Sequence, residues 1–335
     1  LERDWKNVKT LFDPDIVHIH GTEYPVGLAY INGCGNDNVI ISIQGLVSVI
    51  YRYYLAGMST PEVLCNITFR DLLKRDTLLH QRKKIKERGN YERKLLISAK
   101  NIIGRTSWDR SHTFAINPNA RYFFCNETLR SDFYHKYWSL KSCDRHRIFI
   151  SQAQYPLKGF HQLLKALPLL IEKYLDIKVY IAGSDSLKSD FLGLKTYNKY
   201  LRSLVRKNGL DEIIIFTGEL SEAKMIEAYL KSHIFICPSS IENSSNSVGE
   251  AQLLGVPVIA SYVGGMSDMI VDNQSGLLYR YEEFEMLASL IDQLFKDDAL
   301  ALKLSKNGRE QALIRHDRET NINHLFFAYE ELKTS

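Results

Sequence analysis

The sequence predicts an α/β protein made of two doubly wound parallel-sheet domains, on three observations. Short apolar runs alternate with helical patterns along the chain. Most of those runs are apolar throughout, as strands buried on both faces must be. A polar stretch, 136–146, divides the alternation into two series. The first series has candidate strands at 15–20, 38–43, 101–106 and 120–125. The second has them at 146–151, 178–183, 213–218, 233–239, 257–262 and 276–279, with helical patterns at 159–174, 193–208, 221–232, 247–255 and 284–296. The expected domains are therefore 1–140 and 141–316. A last helical segment, 317–335, has no strand after it and is expected to pack back on the first domain.

Composition bounds what such a chain does. With 335 residues, 45% apolar and 24% charged, there is material for two ordinary cores. The net charge of +4 is unevenly spread: ten Lys or Arg stand against four acids between Arg70 and Lys94. One local basic feature of this kind excludes a generally basic nucleic-acid binder, and no aromatic side chains interleave the charges in a nucleic-acid motif. Leu72, Leu79 and Ile85 form a rough apolar stripe within it. A solvated helix is one reading; a cationic face for an anionic membrane surface or a lipid-linked acceptor is the other. The five cysteines show no metal-ligand spacing and read as thiols of a reducing compartment. These residues show no signal-peptide pattern and no apolar run of membrane-spanning length, so no transmembrane helix is expected. The expected location is cytoplasmic, peripheral at the inner membrane.

The chemistry concentrates in PSSIENSSNSVGEAQLLGVPVIAS, residues 238–261. A strand ends at Pro238, a polar loop follows, and a helix starts near Ser247. Such a helix start at the carboxyl edge of a parallel sheet offers amide N–H groups at Asn246, Ser247, Val248 and Gly249 to a diphosphate. Glu242 in the loop and Glu250 in the first turn can reach the same crevice, where carboxylates accept hydrogen bonds from sugar and ribose hydroxyls. Two acids beside a diphosphate need a cation, and Lys158, opening the first helix after strand 146–151 where a helix start also faces the carboxyl edge, is the candidate.

With these residues in view, the stretch resembles the E-x7-E signature of retaining glycosyltransferases, especially glycosyltransferase family 4. FISQAQYPLKGFHQLLKAL, KVYIAGSD, IIIFTGELSEAKMIEAYLKSHIFICPSS and PVIASYVGGMSDMIVDNQSGLLY follow in that family's order, covering essentially all of 146–315. The resemblance implies two Rossmann-like domains facing a cleft, the GT-B architecture. It implies that Glu242 contacts the donor sugar near the reacting centre, that Glu250 binds the ribose hydroxyls, and that Lys158 binds the diphosphate. Gly218 and the backbone around Leu220 then lie beside the nucleobase, and Gly264 and Gly265 shape the crevice. The family's usual Arg six positions before the lysine is Gln152 here, and Arg105 or Arg130 are candidates to supply the missing charge.

On the first domain, an expected His is replaced by Gln44, which leaves His20 as the nearest substitute. Arg105, Asn126 and Glu127 lie just past strand ends and are expected to face the cleft. The family's glycine-rich loop does not precede Asp15 and the chain starts at Leu1, so this domain is expected to be incomplete at its start. The one D-x-D, Asp13–Asp15, stands at the amino end of a strand, the wrong edge for a sheet crevice. No metal and no cofactor are therefore expected. The expected activity is transfer of a hexose from an NDP-sugar to a hydroxyl acceptor with retention, in building a bacterial cell-surface polysaccharide. A non-catalytic nucleotide-sugar or membrane-binding module, or a nucleotide-sugar epimerase of the same fold, are the alternatives.

Overall fold

The protein is described by a computed structural model covering residues 1–185, 187–188 and 194–334. Among the described residues, ten strands form two parallel sheets. The first sheet comprises β1 (Val17–His20), β2 (Val39–Ser42), β3 (Asn101–Gly104) and β4 (Arg121–Phe124), in that spatial order. The second comprises β5 (Asp144–Ile150), β6 (Lys178–Ile181), β7 (Ile214–Phe216), β8 (Ser232–Cys237), β9 (Val258–Ser261) and β10 (Leu277–Tyr279). Its spatial order is β10-β9-β8-β5-β6-β7. Each expected strand is present, shortened by a residue or more except β5, which starts two residues earlier and ends one sooner than expected. β2, β3, β8 and β9 are buried at every position, which is why they read as unbroken apolar runs; β4 is an edge strand, and its ends are exposed.

Strand order explains how each sheet is covered. In the first sheet every crossover steps to the next strand, and right-handed connections then put all crossover helices on one face. Tyr30, Ile31, Leu95 and Leu96 of the helices Val26–Cys34 and Leu78–Ser98 pack there against Val39, Ile41 and Ile102. The opposite face would be bare, but the final helix, Arg318–Lys333, lays Leu325, Ala328, Tyr329 and Leu332 over Ile40 and Ile103. In the second sheet the order reverses direction between β5 and β8, so helices cover both faces. Phe160–Ala166 packs with Phe284–Lys296 on one side, and Asn246–Leu254 with Asp298–Arg315 on the other.

Several helices differ from the sequence reading. The pattern over 159–174 is an α-helix only to Ala166 and then a 3-10 turn, Leu167–Leu169, because Pro168 cannot donate to a continuing helix. The pattern over 193–208 is the helix Thr196–Lys207, and position 193 lies outside the described residues. Asp298–Arg315 is an 18-residue helix that the sequence reading did not mark. The basic segment is two helices, Phe69–Leu73 and Leu78–Ser98, with Arg75 between them in a left-handed conformation; Leu72 therefore does not share a helix with Leu79 and Ile85.

One segment of the first half sits on the second domain. Residues 51–77 form a strap over the helices Phe160–Ala166 and Thr196–Lys207. The Ala56 carbonyl accepts from His161 Nε2 and the Tyr281 hydroxyl, both at 3.0 Å, and the Gly57 carbonyl accepts from Lys165 Nζ at 2.7 Å. Tyr200 donates to Glu62 at 2.9 Å. Asp71, fully buried, accepts from the Thr196 amide and hydroxyl at 2.5 and 2.8 Å, an anion placed at the start of Thr196–Lys207.

Candidate functional site

A doubly wound sheet opens a crevice where its strand order reverses, outside the carboxyl ends of the two strands that flank the reversal. Here those strands are β5 and β8. β5 delivers the loop ending in Lys158, and β8 delivers the loop containing Glu242. The two loops are stapled together: the Ser240 amide donates to the Leu157 carbonyl at 2.8 Å. Gly159 has φ +64° and lies so close that a Cβ would be 1.7 Å from the Pro238 carbonyl oxygen, so only glycine allows this approach.

The chain fold thus brings Lys158 and Glu242, 84 residues apart, into an ion pair with Nζ 2.7 Å from Oε1. The Ser239 hydroxyl donates to the same oxygen at 2.7 Å. Both side chains are mostly buried, at 23% and 14% exposure. Burial disfavours the lysine charge, but the Glu242 carboxylate outweighs it and holds the Lys158 pKa well above the ordinary value. Lys158 stays cationic throughout the neutral range. Tyr155 lies beside it, its ring centroid 5.9 Å from Nζ, and also donates to Gln152 Oε1 at 3.3 Å. Gln152 therefore stands at the same rim but brings no charge.

The Glu242 loop owes its path to two glycines. Gly264 has φ +53°, and a Cβ there would be 1.9 Å from the Glu242 carbonyl oxygen; the Gly265 amide donates to that oxygen at 3.0 Å. Next in the chain, Asn243 is buried and joins the domains. Its Nδ2 donates to Asp109 Oδ2 at 2.9 Å and to the Gln44 carbonyl at 3.3 Å, and its Oδ1 accepts from the Thr106 hydroxyl at 2.6 Å. Ser107 adds a second interdomain link to Asp268 at 2.8 Å. The sequence reading missed Asn243, because its partners lie 134 and 199 residues away and an asparagine in a Ser-rich loop carries no local signal.

The helix Asn246–Leu254 starts beside this pair. Its entrance offers fewer amides than expected: those of Val248 and Gly249 both donate to the Ser245 carbonyl at 3.1 Å, closing the first turn, so only Asn246 and Ser247 have amides whose position denies them an intrahelical partner. Glu250 is 8% exposed. Its Oε1 accepts from Arg130 Nε and Nη2 at 3.1 and 2.7 Å, while among the described residues Oε2 has only the Tyr229 hydroxyl at 3.4 Å. Burial pushes the Glu250 pKa up, and Arg130 opposes that shift.

The remaining expected residues divide. Gly218 accepts from the Gly183 amide at 2.9 Å, tying together the chain ends leaving β6 and β7, and Leu220 packs partly buried on the core beside them. Gln44 has an exposed side chain on the cleft side of β2. His20 is exposed at the end of β1 and stacks on His18 at 3.9 Å. His18 is the engaged histidine, contacting Tyr329 at 2.7 Å and Ser42 at 2.5 Å, with a pKa lowered to about 4 by burial and by His20. Contrary to expectation, Arg105 does not present its guanidinium to the cleft. It is 5% exposed and pairs with Glu127 at 2.5 Å, and its carbonyl accepts from Arg315. Arg105 and Glu127 satisfy each other inside the domain junction, and Asn126 has its Oδ1 buried beside them. Neither Arg105 nor Arg130 is free to replace the charge missing at Gln152.

On the first-domain side, a groove of about 570 Å³ runs between Tyr54 and the basic helix, lined by Gln81, Lys84, Ile85, Glu87, Arg88 and Tyr91. It begins next to the crevice: the Ser240 hydroxyl donates to the Tyr53 carbonyl at 3.2 Å, and Tyr54 lies within electrostatic range of Tyr155.

Comparisons with known proteins agree with this geometry. The family described as "Glycosyl transferases group 1" matches residues 138–311. A D-inositol 3-phosphate glycosyltransferase of Corynebacterium urealyticum is 29% identical over 180 residues, covering 53% of this chain and 41% of that protein. The capsular polysaccharide biosynthesis glycosyltransferase CapM of Staphylococcus aureus is 27% identical over 154 residues, covering 46% and 38%. The chain thus aligns to about two fifths of the length of these relatives. Sucrose-phosphate synthase from Thermosynechococcus elongatus has the same fold, with a TM-score of 0.75 at 19% identity, over 99% of this chain and 77% of that one. HepE of Anabaena, solved with UDP-glucose, superposes with a TM-score of 0.67 at 16% identity, over 98% of this chain and 81% of that one. The paired sheets are the GT-B fold, and with more than half of its residues matched, the chain belongs to the glycosyl transferases group 1 family.

Proposed function

We propose that the protein is a retaining hexosyltransferase of the family 4 type, taking its sugar from an NDP-sugar and passing it to a hydroxyl acceptor. The observation that carries this is the Lys158–Glu242 pair at the point where the sheet order reverses. A cation that stays charged is set to receive a leaving diphosphate, and an acid held beside it meets the sugar. In the reaction the bond from the anomeric carbon to the diphosphate breaks, the bond to the acceptor oxygen forms, and the acceptor proton passes to the departing diphosphate. Lys158 and the amides of Asn246 and Ser247 would stabilise the charge that develops on the leaving group. The Asp13–Asp15 pair stands before β1 at the amino edge, remote from this crevice, so the reading assigns no metal.

HepE was solved with UDP-glucose, and CapM is named for capsular polysaccharide biosynthesis. These names favour a nucleotide-sugar donor and a role in bacterial surface polysaccharide assembly for this chain too. The acceptor's path is the groove along Tyr54, Lys84 and Arg88, whose charge suits a phosphate-bearing, lipid-linked acceptor. Among the described residues no helix is long and apolar enough to cross a membrane. Exposed Phe69, Leu72 and Leu73, on the short helix that precedes the basic helix of Lys83 and Lys84, offer instead an apolar edge with basic side chains following it for an anionic membrane surface at the cytoplasmic face.

The test is release of nucleoside diphosphate from a panel of UDP-, GDP- and dTDP-sugars. Turnover by the wild type that is lost in Glu242→Gln supports the transferase. Tight donor binding with no turnover in either protein would make the chain a binding module.

A further inference from the structure

Arg130 comes from neither sheet. It lies between β4 and β5, where the chain passes from one domain to the other, and that passage is clamped to the second domain. The Tyr134 hydroxyl donates to the His316 carbonyl at 2.8 Å, Arg309 donates to the Tyr134 carbonyl at 2.7 Å, and the Trp138 indole donates to the Ser232 carbonyl at 2.7 Å. The Arg130 guanidinium also lies 4.5 Å from the Phe133 ring centroid, which fixes its plane. From this anchored position it places two N–H groups on one oxygen of Glu250 and none on the other. Glu250 Oε2 is left with a single long contact to Tyr229, in a carboxylate 8% exposed. A buried carboxylate with one oxygen saturated and the other underused is poised for further donors.

We infer that Arg130 is a positioning residue for donor recognition: it holds Glu250 through Oε1 so that Oε2 is presented, ionised, to the ribose hydroxyls of the nucleotide. This rests on the reading of the crevice as a nucleotide-sugar site and adds the residue that makes Glu250 usable there. The titratable and charged groups facing Glu250 are Arg130, Tyr229, and Glu222 at the start of the helix Glu222–Leu230; His316 lies against Gly249, the residue before it. Arg130 is the cation among them that donates to the carboxylate. Burial already drives Glu250 toward its neutral form, and Glu222 pushes in the same direction. Without Arg130 the carboxylate would keep its proton to higher pH and lose its grip on hydroxyl donors.

The experiment compares binding of UDP, GDP and their 2′,3′-dideoxy forms to the full chain by calorimetry, in wild type, Arg130→Lys and Arg130→Gln. In the wild type the ribo form binds at least about tenfold tighter than the dideoxy form, the order expected for one charge-assisted hydrogen bond. In Arg130→Gln that ratio collapses towards one while dideoxy affinity changes little, and Arg130→Lys restores part of the ratio. The wild-type ratio persists to lower pH than any ratio left in Arg130→Gln. Equal weakening of the ribo and dideoxy forms in Arg130→Gln would overturn the assignment, because a purely structural role, or a contact with the diphosphate, lowers both alike. Absence of nucleotide binding in the wild type would instead refute the proposed function itself.

Discussion

Gly264→Ala tests how tightly the position of Glu242 depends on its surroundings. The substitution adds one methyl group at φ +53°, with its carbon 1.9 Å from the Glu242 carbonyl oxygen, whereas real contacts begin near 3.0 Å. The left-handed backbone alone costs about 1 kcal/mol for a residue with a side chain. Relieving the overlap requires the 241–243 loop to retreat by about 1 Å, and overpacking of this kind adds about 1–3 kcal/mol. Gly209 supplies the control. It has φ +62° but nothing within 4 Å of a Cβ, and it stands before β7 at the opposite edge of the sheet. Gly209→Ala should therefore lower Tm by about 3 °C and leave turnover unchanged, while Gly264→Ala should lower Tm by roughly 6–12 °C. A 1 Å displacement of a group at the reacting centre costs about 100-fold in rate, so donor turnover in Gly264→Ala should fall on that scale. Scanning fluorimetry and nucleoside diphosphate release measure the two effects. Equal Tm losses in the two variants, with Gly264→Ala turning over within twofold of wild type, would show that the Glu242 loop is not held by this close approach.

Three further outcomes are expected. Lys158→Met should reduce donor turnover by about 100- to 1,000-fold. Its stability deficit should stay constant from about pH 7 to about pH 10, because a lysine whose folded pKa is raised keeps its full contribution below the unfolded value and loses it only as pH rises through the folded one. Three buried histidines and the half-buried His18 predict acid sensitivity: the pKa falls from 6.5 to about 4 in His18, His233 and His316 and to about 3 in His161, with burial the leading cause in each. Between those values and 6.5 the unfolded chain binds more protons, so stability is complete above about pH 6.5 and declines as pH falls towards 4. Thermal melts across that range should show the decline, with a shallower slope in His233→Gln. Finally, Lys83→Gln/Lys84→Gln/Lys86→Gln should lose sedimentation with anionic vesicles, and equal binding of the wild type to neutral vesicles would remove the membrane from the proposal.

How much of this was legible in the sequence depends on the range of the forces involved. Strands such as Ile40 in β2 and Phe235 in β8 sit in two-sided cores, and burial on both faces writes itself into the sequence as an unbroken apolar run. The Lys158 and Glu242 loops were legible because a doubly wound sheet puts its crevice at carboxyl ends, and both residues stand in loops that leave the carboxyl ends of β5 and β8. The strap of residues 51–77 was not. Its attachments are backbone carbonyls at Ala56 and Gly57 and a buried Asp71, and nothing local distinguishes these from ordinary turn chemistry. Arg105 misled for a related reason: a strand-end arginine looks open to a cleft, and only the fold shows Glu127 closing over it. The amides of Val248 and Gly249 were overcounted because the Ser245 carbonyl that captures them is fixed by helix geometry one turn upstream.

The strap also changes what counts as a rigid body. A cleft enzyme that opens and closes is usually pictured as two halves of sequence swinging about the segment that joins them. Here residues 51–77 belong mechanically to the second half, fastened by Asp71 to Thr196 and by Glu62 to Tyr200. Any opening has to bend the chain at two further places, where the strap leaves β2 and where it returns along the basic helix to β3. With the linker between β4 and β5 and the passage from Asp298–Arg315 into the final helix, four segments of chain then act as the hinge in place of one, which restrains twisting of the domains. The groove beside Tyr54 lies at one of those bends, so widening the cleft alters that groove and the Lys158–Glu242 crevice in the same motion.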